Sequence, residues 1–404
     1  MTGPWGPALA ALASLDAPRP WGVAVSGGGD SMALLHAVAR MGGPARAATV
    51  DHGLRPEAAD EARIVARACA GLNLSHATLP AHLAMGPDLQ ARARAARYDL
   101  LAGWGRRHGL GTVLIAQTAE DVAETLVMRL ARGSGIDGLA RMRASWTRDG
   151  QRFDRPFLDL RRADLRAALR SDGIAWVEDP GNSDPAQERA RIRAAITTLG
   201  LDAGALARSA ARLADARQSL DARAADLARD LIRQDGGDLL IARAHLDRLW
   251  RQEPDQARRL TEAALAWIGG PSYPPRGAAI ARLREAMRAG RATTLAGCLA
   301  LPQDDVCRLT REAGRAAPPV PLGQEWDGRW RVTGPQAGAG LTVGVLGADI
   351  AATPWRATGR PRRALMGGPA VRRGPDLIAA PLAGLGREWR AEPRVPFHSG
   401  PLFR

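Results

Sequence analysis

The residues of this chain best suited to chemistry are Ser26-Gly27-Gly28-Gly29-Asp30-Ser31, which follow an apolar run and open a helical one. Glycines let successive backbone N–H groups turn toward an anion with no Cβ in the way. The start of a helix adds its dipole and unpaired donors, and the hydroxyls of Ser26 and Ser31 can donate to phosphate oxygens. An acid inside such a loop repels phosphate unless a cation intervenes, so Asp30 points to Mg²⁺. The loop is not a Walker A motif, which needs Gly-Lys-Ser/Thr, because the chain contains no lysine; nor is it GxGxxG. A serine-capped, glycine-rich turn is the plain alternative, and the position between a strand and a helix argues against it.

Three further groups accompany the loop. Asp51 and His52 end the second predicted strand and can reach nucleotide or metal, or simply cap a turn. Glu120, Asp121 and Glu124 cluster at a helix start. The dipole accounts for Glu120, while Asp121 and Glu124 can hold Mg²⁺ or pair with a cationic substrate. Arg94, Arg97 and Tyr98 fall at i, i+3 and i+4, on one helix face. Such a face is either solvated or tracks phosphates, positioning RNA without reading its sequence.

These residues need elements that aim them at one place. Strands are predicted at Gly22–Ser26, Arg46–Asp51, Leu74–Leu79, Thr112–Ala116 and Ala175–Val177. Helices are predicted at Met32–Met41, Glu57–Ala70, Leu89–His108, Val122–Ala131 and Arg162–Ser171. Alternation of this kind predicts an α/β, Rossmann-like, doubly wound parallel sheet, with ligands at the carboxyl ends of its strands. From about 198 to 233, Leu206, Leu213, Leu220 and Leu227 recur every seven residues, predicting one long amphipathic connector helix. Residues 237–312 read as a helical middle domain and the proline-rich 316–322 as a linker, followed by a small β-containing, α+β domain. The division expected is a catalytic domain over 1–197, a connector and middle domain over 198–315, and a basic C-terminal domain over 323–404.

Composition narrows the partners. The 404 residues carry a formal charge of +14 and all 56 basic residues are arginine. Every fixed cation is therefore a planar fork suited to phosphate, and the excess favours a polyanion. From 350 to 404 there are ten arginines and three acids, with Trp355 and Trp389 among them, a mixture suited to nucleic acid. No apolar run approaches the roughly 20 residues of a membrane span, and the N-terminus lacks a basic stretch before its short apolar run, making a poor signal peptide. Cys69, Cys298 and Cys307 form no CxxC pair, which argues against zinc, iron–sulfur and disulfide frameworks and for a reducing cytoplasm.

The loop resembles the pyrophosphate (PP) loop of N-type ATP pyrophosphatases, which cleave ATP between the α and β phosphates. VDHGLR at 50–55, ARAARY at 93–98, RGSGIDGL at 132–139, RPFL at 155–158, EDPGNSD at 178–184 and RARIR at 189–193 follow in order. Together they resemble the tRNA(Ile)-lysidine synthetases over about half of the chain. The resemblance implies ATP bound by Ser26, Gly27, Gly28, Gly29, Asp30, Ser31, Asp51 and His52, with Mg²⁺ on Asp30. It implies catalytic roles for Asp30, Asp121 and Arg193, and lysine or metal binding by Asp121 and Glu124. Contacts to tRNA would come from Arg55, Arg94, Arg97, Tyr98, Arg132 and Arg189, with the two rear domains. The implied reaction adenylates the C2 oxygen of the wobble cytidine in isoleucine tRNA with a CAU anticodon; free lysine then displaces AMP. Three positions depart from the family: Gln117 stands for His, Glu120 for the first of two Asp, and Ala190 for Asn. Rival readings are another PP-loop tRNA-modifying enzyme such as a thiolase, an amide-forming synthetase, and a non-catalytic RNA-binding protein with a relict ATP site. The oligomeric state is not legible.

Overall fold

The structure is a computed structural model that describes residues 3–53, 58–83, 86, 88–178, 186–270, 275–335 and 340–400, without the side chains of 58 and 59. Arg55 and most of the EDPGNSD stretch lie outside the described residues. The chain divides into two compact units, Met1–Arg217 and Gln218–Arg404.

The first unit opens with helix α1 (Gly6–Ala13), strand β1 (Trp21–Ala24), helix α2 (Gly29–Met41), strand β2 (Ala45–Asp51), helix α3 (Ala58–Gly71) and strand β3 (Ser75–Pro80). Helix α4 (Leu89–Arg107), strand β4 (Thr112–Ile115), helices α5 (Ala119–Ala131) and α6 (Ile136–Leu139) and strands β5 (Ser145–Arg148) and β6 (Gln151–Asp154) come next. Helices α7 (Arg162–Ser171) and α8 (Glu188–Thr198) follow, and the long helix α9 (Ala203–Leu231) contains the boundary between the units. The sheet order is β3-β2-β1-β4-β6-β5, parallel except for the β5–β6 hairpin. Alternation along the strands gives each face a core. Val23, Ala47 and Leu114 pack with α1, α2, α3 and α7, while Ala24, Ala48, Val113 and Ile115 pack with Leu101 and Trp104 of α4. The chain reverses its winding between β1 and β4, the place where a doubly wound sheet opens a crevice at its carboxyl edge.

Four of the five expected strands form. Ala175–Val177 makes only a single parallel bridge, Gly28 to Val177, so it closes over the loop after β1 instead of extending the sheet. The β5–β6 hairpin was not expected. Asp149 (φ +49°) and Gly150 (φ +78°) form its two-residue turn, the Asp-Gly signal of a tight hairpin. In α9 the leucines of the seven-residue repeat are only half-buried; the buried positions are small residues, Ala203, Gly204, Ala207, Ala210, Ala224, Ala225 and Ala228.

The second unit contains helices α10 (Arg243–Gln252), α11 (Pro254–Gly269) and α12 (Gly277–Arg288), as a helical middle region requires. It also contains an antiparallel sheet that was not expected, built from β7 (Ile232–Asp235), β8 (Asp238–Ala242), β9 (Thr293–Leu295), β10 (Cys298–Gln303) and β11 (Val306–Arg311) in the order β7-β8-β11-β10-β9. Beyond it, β12 (Val320–Pro321), β14 (Leu341–Val345), β15 (Pro369–Arg373) and β16 (Asp376–Ala379) form one sheet, and β13 (Trp330–Thr333) pairs with β17 (Arg390–Pro393). The short helix α13 (Arg362–Leu365) lies between β14 and β15 in sequence. Trp326, Trp330 and Trp389 fill the core of these rear sheets. Among the described residues no helix is long and apolar enough to cross a membrane.

Candidate functional site

A cleft of about 860 Å³ opens where the chain reverses its winding. The loop after β1 forms one wall. Gly27 has φ +86°, a conformation that glycine adopts without strain, and its carbonyl accepts the Val177 N–H at 2.9 Å. Gly28 caps α2 without a side chain, so the first N–H groups of the helix have no side-chain partner at the cap. Ser31 Oγ donates to the Gly28 carbonyl at 2.9 Å, accepts the Ser26 N–H at 3.1 Å and lies 3.2 Å from Ser26 Oγ. The two hydroxyls thus set the loop's shape while lining the cleft. The result is a compact anion cradle at a helix N-terminus.

The opposite wall is acidic and buried. A capping box starts α5: Asp121 Oδ2 accepts from the Thr118 N–H at 2.9 Å and from the Thr118 hydroxyl at 3.2 Å. That bond orients Asp121 Oδ1 toward Arg162 Nη2, 3.6 Å away. One turn on, Glu124 has a side chain only 2% exposed, with Oε1 2.8 Å from Arg193 Nε. Asp30, in the first turn of α2, accepts from Arg162 Nε at 2.9 Å. Burial pushes the Asp30 carboxyl above the usual carboxylate value; the charge and hydrogen bond of Arg162 pull it back only in part, and Asp121 adds to the rise. Burial pulls the Arg162 guanidinium down, and Asp30, Asp121 and Glu124 together more than offset this, leaving it above the usual arginine value.

Two carboxylate oxygens of the site, Asp30 Oδ1 on the loop side and Glu124 Oε2 on α5, are buried with no hydrogen-bond partner. A buried acceptor left unpaired is costly, so both oxygens are open to a donor or cation entering the cleft. Among the described residues no three His, Cys, Asp or Glu side chains converge closely enough to hold a metal by themselves. Mg²⁺ commonly takes one or two carboxylates and completes its shell with substrate phosphates and water. Asp30 Oδ1 beside the anion cradle fits that pattern.

The remaining expected residues separate into two groups. Arg94, Arg97, Tyr98, His52 and Arg189 line the cleft with the loop. Burial lowers the basicity of His52, and Arg97 adds to the effect, which favours a neutral imidazole. Tyr98 is largely a core residue, packed edge-on against Trp146 and Phe153. Asp51 does not line the cleft; its Oδ1 accepts the Gly53 N–H at 2.8 Å and fixes the turn after β2. Arg132 pairs with Glu188 outside the cleft lining.

The three departures also find physical explanations in two cases. Glu120 Oε2 accepts the Arg162 N–H at 2.9 Å, and Oε1 lies 3.1 Å from Arg161 Nε, so Glu120 ties the start of α5 to the start of α7. Gln117 accepts from Arg155, whose guanidinium lies over the Trp146 ring at 3.6 Å. Ala190 lines the cleft, and nothing in the structure explains the substitution. Sequence reasoning missed Arg162 and Arg166, both in the cleft lining. For Arg162 a signal existed: an arginine at the positive end of a helix opposes its dipole and needs a local reason.

Residues 8–199 match the profile of a PP-loop domain. The chain is 47% identical over 395 residues to the tRNA(Ile)-lysidine synthase of Ruegeria pomeroyi, covering 95% of this chain and 93% of that protein. The Novosphingobium aromaticivorans tRNA(Ile)-lysidine synthase is 40% identical over 295 residues, with 72% and 88% covered. That of Mesorhizobium japonicum is 37% identical over 349 residues, with 81% and 75% covered.

Proposed function

The chain belongs to the tRNA(Ile)-lysidine synthase family of PP-loop enzymes, and from that premise we propose that it ligates free lysine to C2 of the wobble cytidine in isoleucine tRNA with a CAU anticodon. The observation that carries this reading is the cleft itself, in which an anion cradle faces buried carboxylates that have open acceptor oxygens.

In the first step the C2 oxygen of the cytidine attacks the α phosphorus of ATP, and the bond to the β phosphate breaks. Pyrophosphate leaves, and the oxygen becomes part of a good leaving group. The N–H groups at the start of α2, with Ser26 and Ser31, hold the pyrophosphate as its charge grows. Asp30 would hold Mg²⁺, which supplies further charge neutralisation when bound. In the second step the lysine ε-nitrogen bonds to C2, the bond from C2 to the AMP oxygen breaks, and the amine gives up a proton. Glu124, through its open Oε2, and Asp121 hold the lysine ammonium and take a first proton before the attack, which frees the electron pair on nitrogen; the proton given up once the C–N bond has formed passes to the departing AMP or to water. Arg193, with Nε 2.8 Å from Glu124 Oε1, keeps that side chain aimed. Arg94, Arg97 and Arg189 line the approach for the RNA backbone, and the basic C-terminal region adds contacts to the tRNA. A substrate of this kind supports a cytoplasmic location.

The test is incorporation of labelled lysine into an unmodified isoleucine tRNA transcript with a CAU anticodon, given ATP and Mg²⁺, beside a methionine tRNA control. Stable label on the isoleucine transcript alone, with one AMP per lysine, is the expected result. AMP release with tRNA but no lysine incorporation would reassign the protein to another tRNA modification. No AMP release at all would leave an RNA-binding protein.

A further inference from the structure

Arg162 is the first residue of α7, where the helix dipole is positive and a cation is out of place. Its backbone is fixed, because its N–H donates to Glu120 Oε2 at 2.9 Å. Its guanidinium turns away from its own helix and across the cleft. Nε lies 2.9 Å from Asp30 Oδ2, Nη2 3.6 Å from Asp121 Oδ1 and Nη1 4.0 Å from Glu124 Oε1. Three nitrogens thus face three carboxylates carried by α2 and α5. These are the carboxylates assigned above to Mg²⁺ and to the lysine ammonium. With Arg193 on Glu124, five charged side chains sum to −1, from three acids and two arginines. Two oxygens of the cluster are still unpaired.

A guanidinium and an incoming cation cannot both sit among the same buried carboxylates without strong mutual repulsion. We infer that Arg162 is an internal stand-in for the substrate cations: it keeps the three carboxylates assembled before ligands arrive, gives them up as lysine and Mg²⁺ enter, and then turns toward the phosphates. The inference rests on the lysine-ligating reading of the cleft. The destination of the side chain is within the same cleft, since Arg162 and Gly28–Gly29 both line it. Arg166, one turn further along α7, already lies against the loop: a Cβ on Gly29 would come 3.5 Å from its Nε, and that Nε is buried without a partner. After the turn, Arg162 and Arg166 form a two-pronged clamp on the pyrophosphate. Cation loading and phosphate capture are thereby coupled in one side chain.

This arrangement makes opposite predictions for two steps. In Arg162→Gln, lysine binding measured by calorimetry without nucleotide tightens about tenfold, because a competing charge contact is gone. AMP formation with tRNA and ATP slows by at least about a hundredfold, since a charge-stabilising donor to the leaving group is lost. A residue that only holds the fold would weaken both. Arg162→Lys, with a compact charge and fewer donors, lies between the wild type and the glutamine variant in both measurements. Lysine binding that is unchanged or weaker in Arg162→Gln, with unaltered thermal unfolding, overturns the inference. If the glutamine variant does not fold, the lysine variant decides: binding no tighter than wild type overturns it. Mn²⁺ binding followed by electron paramagnetic resonance reads the same competition independently of lysine. If the wild-type protein neither binds lysine nor makes lysidine, the ligase reading falls; the Mn²⁺ comparison then decides Arg162, with tighter binding in Arg162→Gln supporting the stand-in and unchanged binding excluding it.

Discussion

Two clusters of buried arginine and carboxylate, one in each unit, use the same residue types for opposite ends. In the second unit Arg311 forms a two-pronged pair with Asp327, at 2.8 and 2.9 Å, and Asp327 also accepts the Ala317 N–H at 2.9 Å. Nη1 of Arg311 donates to the carbonyls of Gly269 and Gly297, and Nη2, besides its bond to Asp327, donates to that of Arg315. Arg308 is held likewise by Asp235, Asp238 and Gln303. In the first unit, Arg162 makes one good contact and two long ones, and two nearby carboxylate oxygens have no partner. A saturated network specifies one conformation; an unsaturated one stores binding capacity. The difference between the clusters is the number of acceptors left open, and burial alone does not reveal it.

Mutations break this comparison in order of size. Asp30→Ala should abolish lysine incorporation, with a loss of at least about a thousandfold, while thermal unfolding moves little. A large drop in stability instead would put Asp30 with the saturated kind. Asp327→Ala should do the reverse, costing about 3–5 kcal/mol in denaturant unfolding because Arg311 is left buried and unpaired. Incorporation per folded molecule should hold, and a specific loss of activity would contradict the assignment. Glu124→Gln keeps the shape but removes the charge; KM for lysine should rise about ten- to a hundredfold, the range of a charged hydrogen bond. Unfolding of that variant should show little loss, since glutamine keeps an acceptor for Arg193 and the unpaired Oε2 is itself unfavourable when buried.

The pH dependence sharpens the same contrast. Asp30 has a carboxyl raised by burial, so its ionised form disappears on acidification earlier than that of an ordinary aspartate of pKa 3.8. The acid limb of the incorporation rate should lie above that value. Arg162→Gln removes the main lowering influence and should move the limb higher still. For stability the sign is that of a raised acid: the unfolded chain releases this proton first, so Asp30 favours the fold below its unfolded pKa and loses that contribution as pH rises through the folded value. The smallest effect is at the rim, where Arg94→Ala should weaken tRNA binding and reduce its salt slope by about one.

Much of the first unit was legible because its signals are local. The loop, its strand and its helix are contiguous, and the alternation from β1 to α5 reads directly from apolar periodicity. The β5–β6 hairpin escaped notice because Gln151 and Asp154 look like surface residues yet are buried, although Asp149-Gly150 marks its turn. The sheet of the second unit was hidden because its strands are short and interrupted by three helices in sequence. In the site, glycines and acids were legible because few other roles explain them at that spacing. Asp51 reads both ways, since a turn-capping aspartate and a ligand aspartate look alike in sequence; the structure adds its bond to the Gly53 N–H. Arg162 was passed over because 56 arginines make any single one inconspicuous; only its contacts distinguish it.

The cations along the cleft (Arg94, Arg97, Arg162, Arg166, Arg189 and Arg193) are all guanidinium groups, and the chain has no lysine anywhere. A guanidinium stays protonated and lacks a free electron pair to attack carbon. On the proposed chemistry, the activated cytidine waits in a chamber that attracts phosphate strongly yet offers no side-chain amine of its own. Self-modification through a side-chain amine is then closed off by composition, and the amine that attacks must arrive from solution.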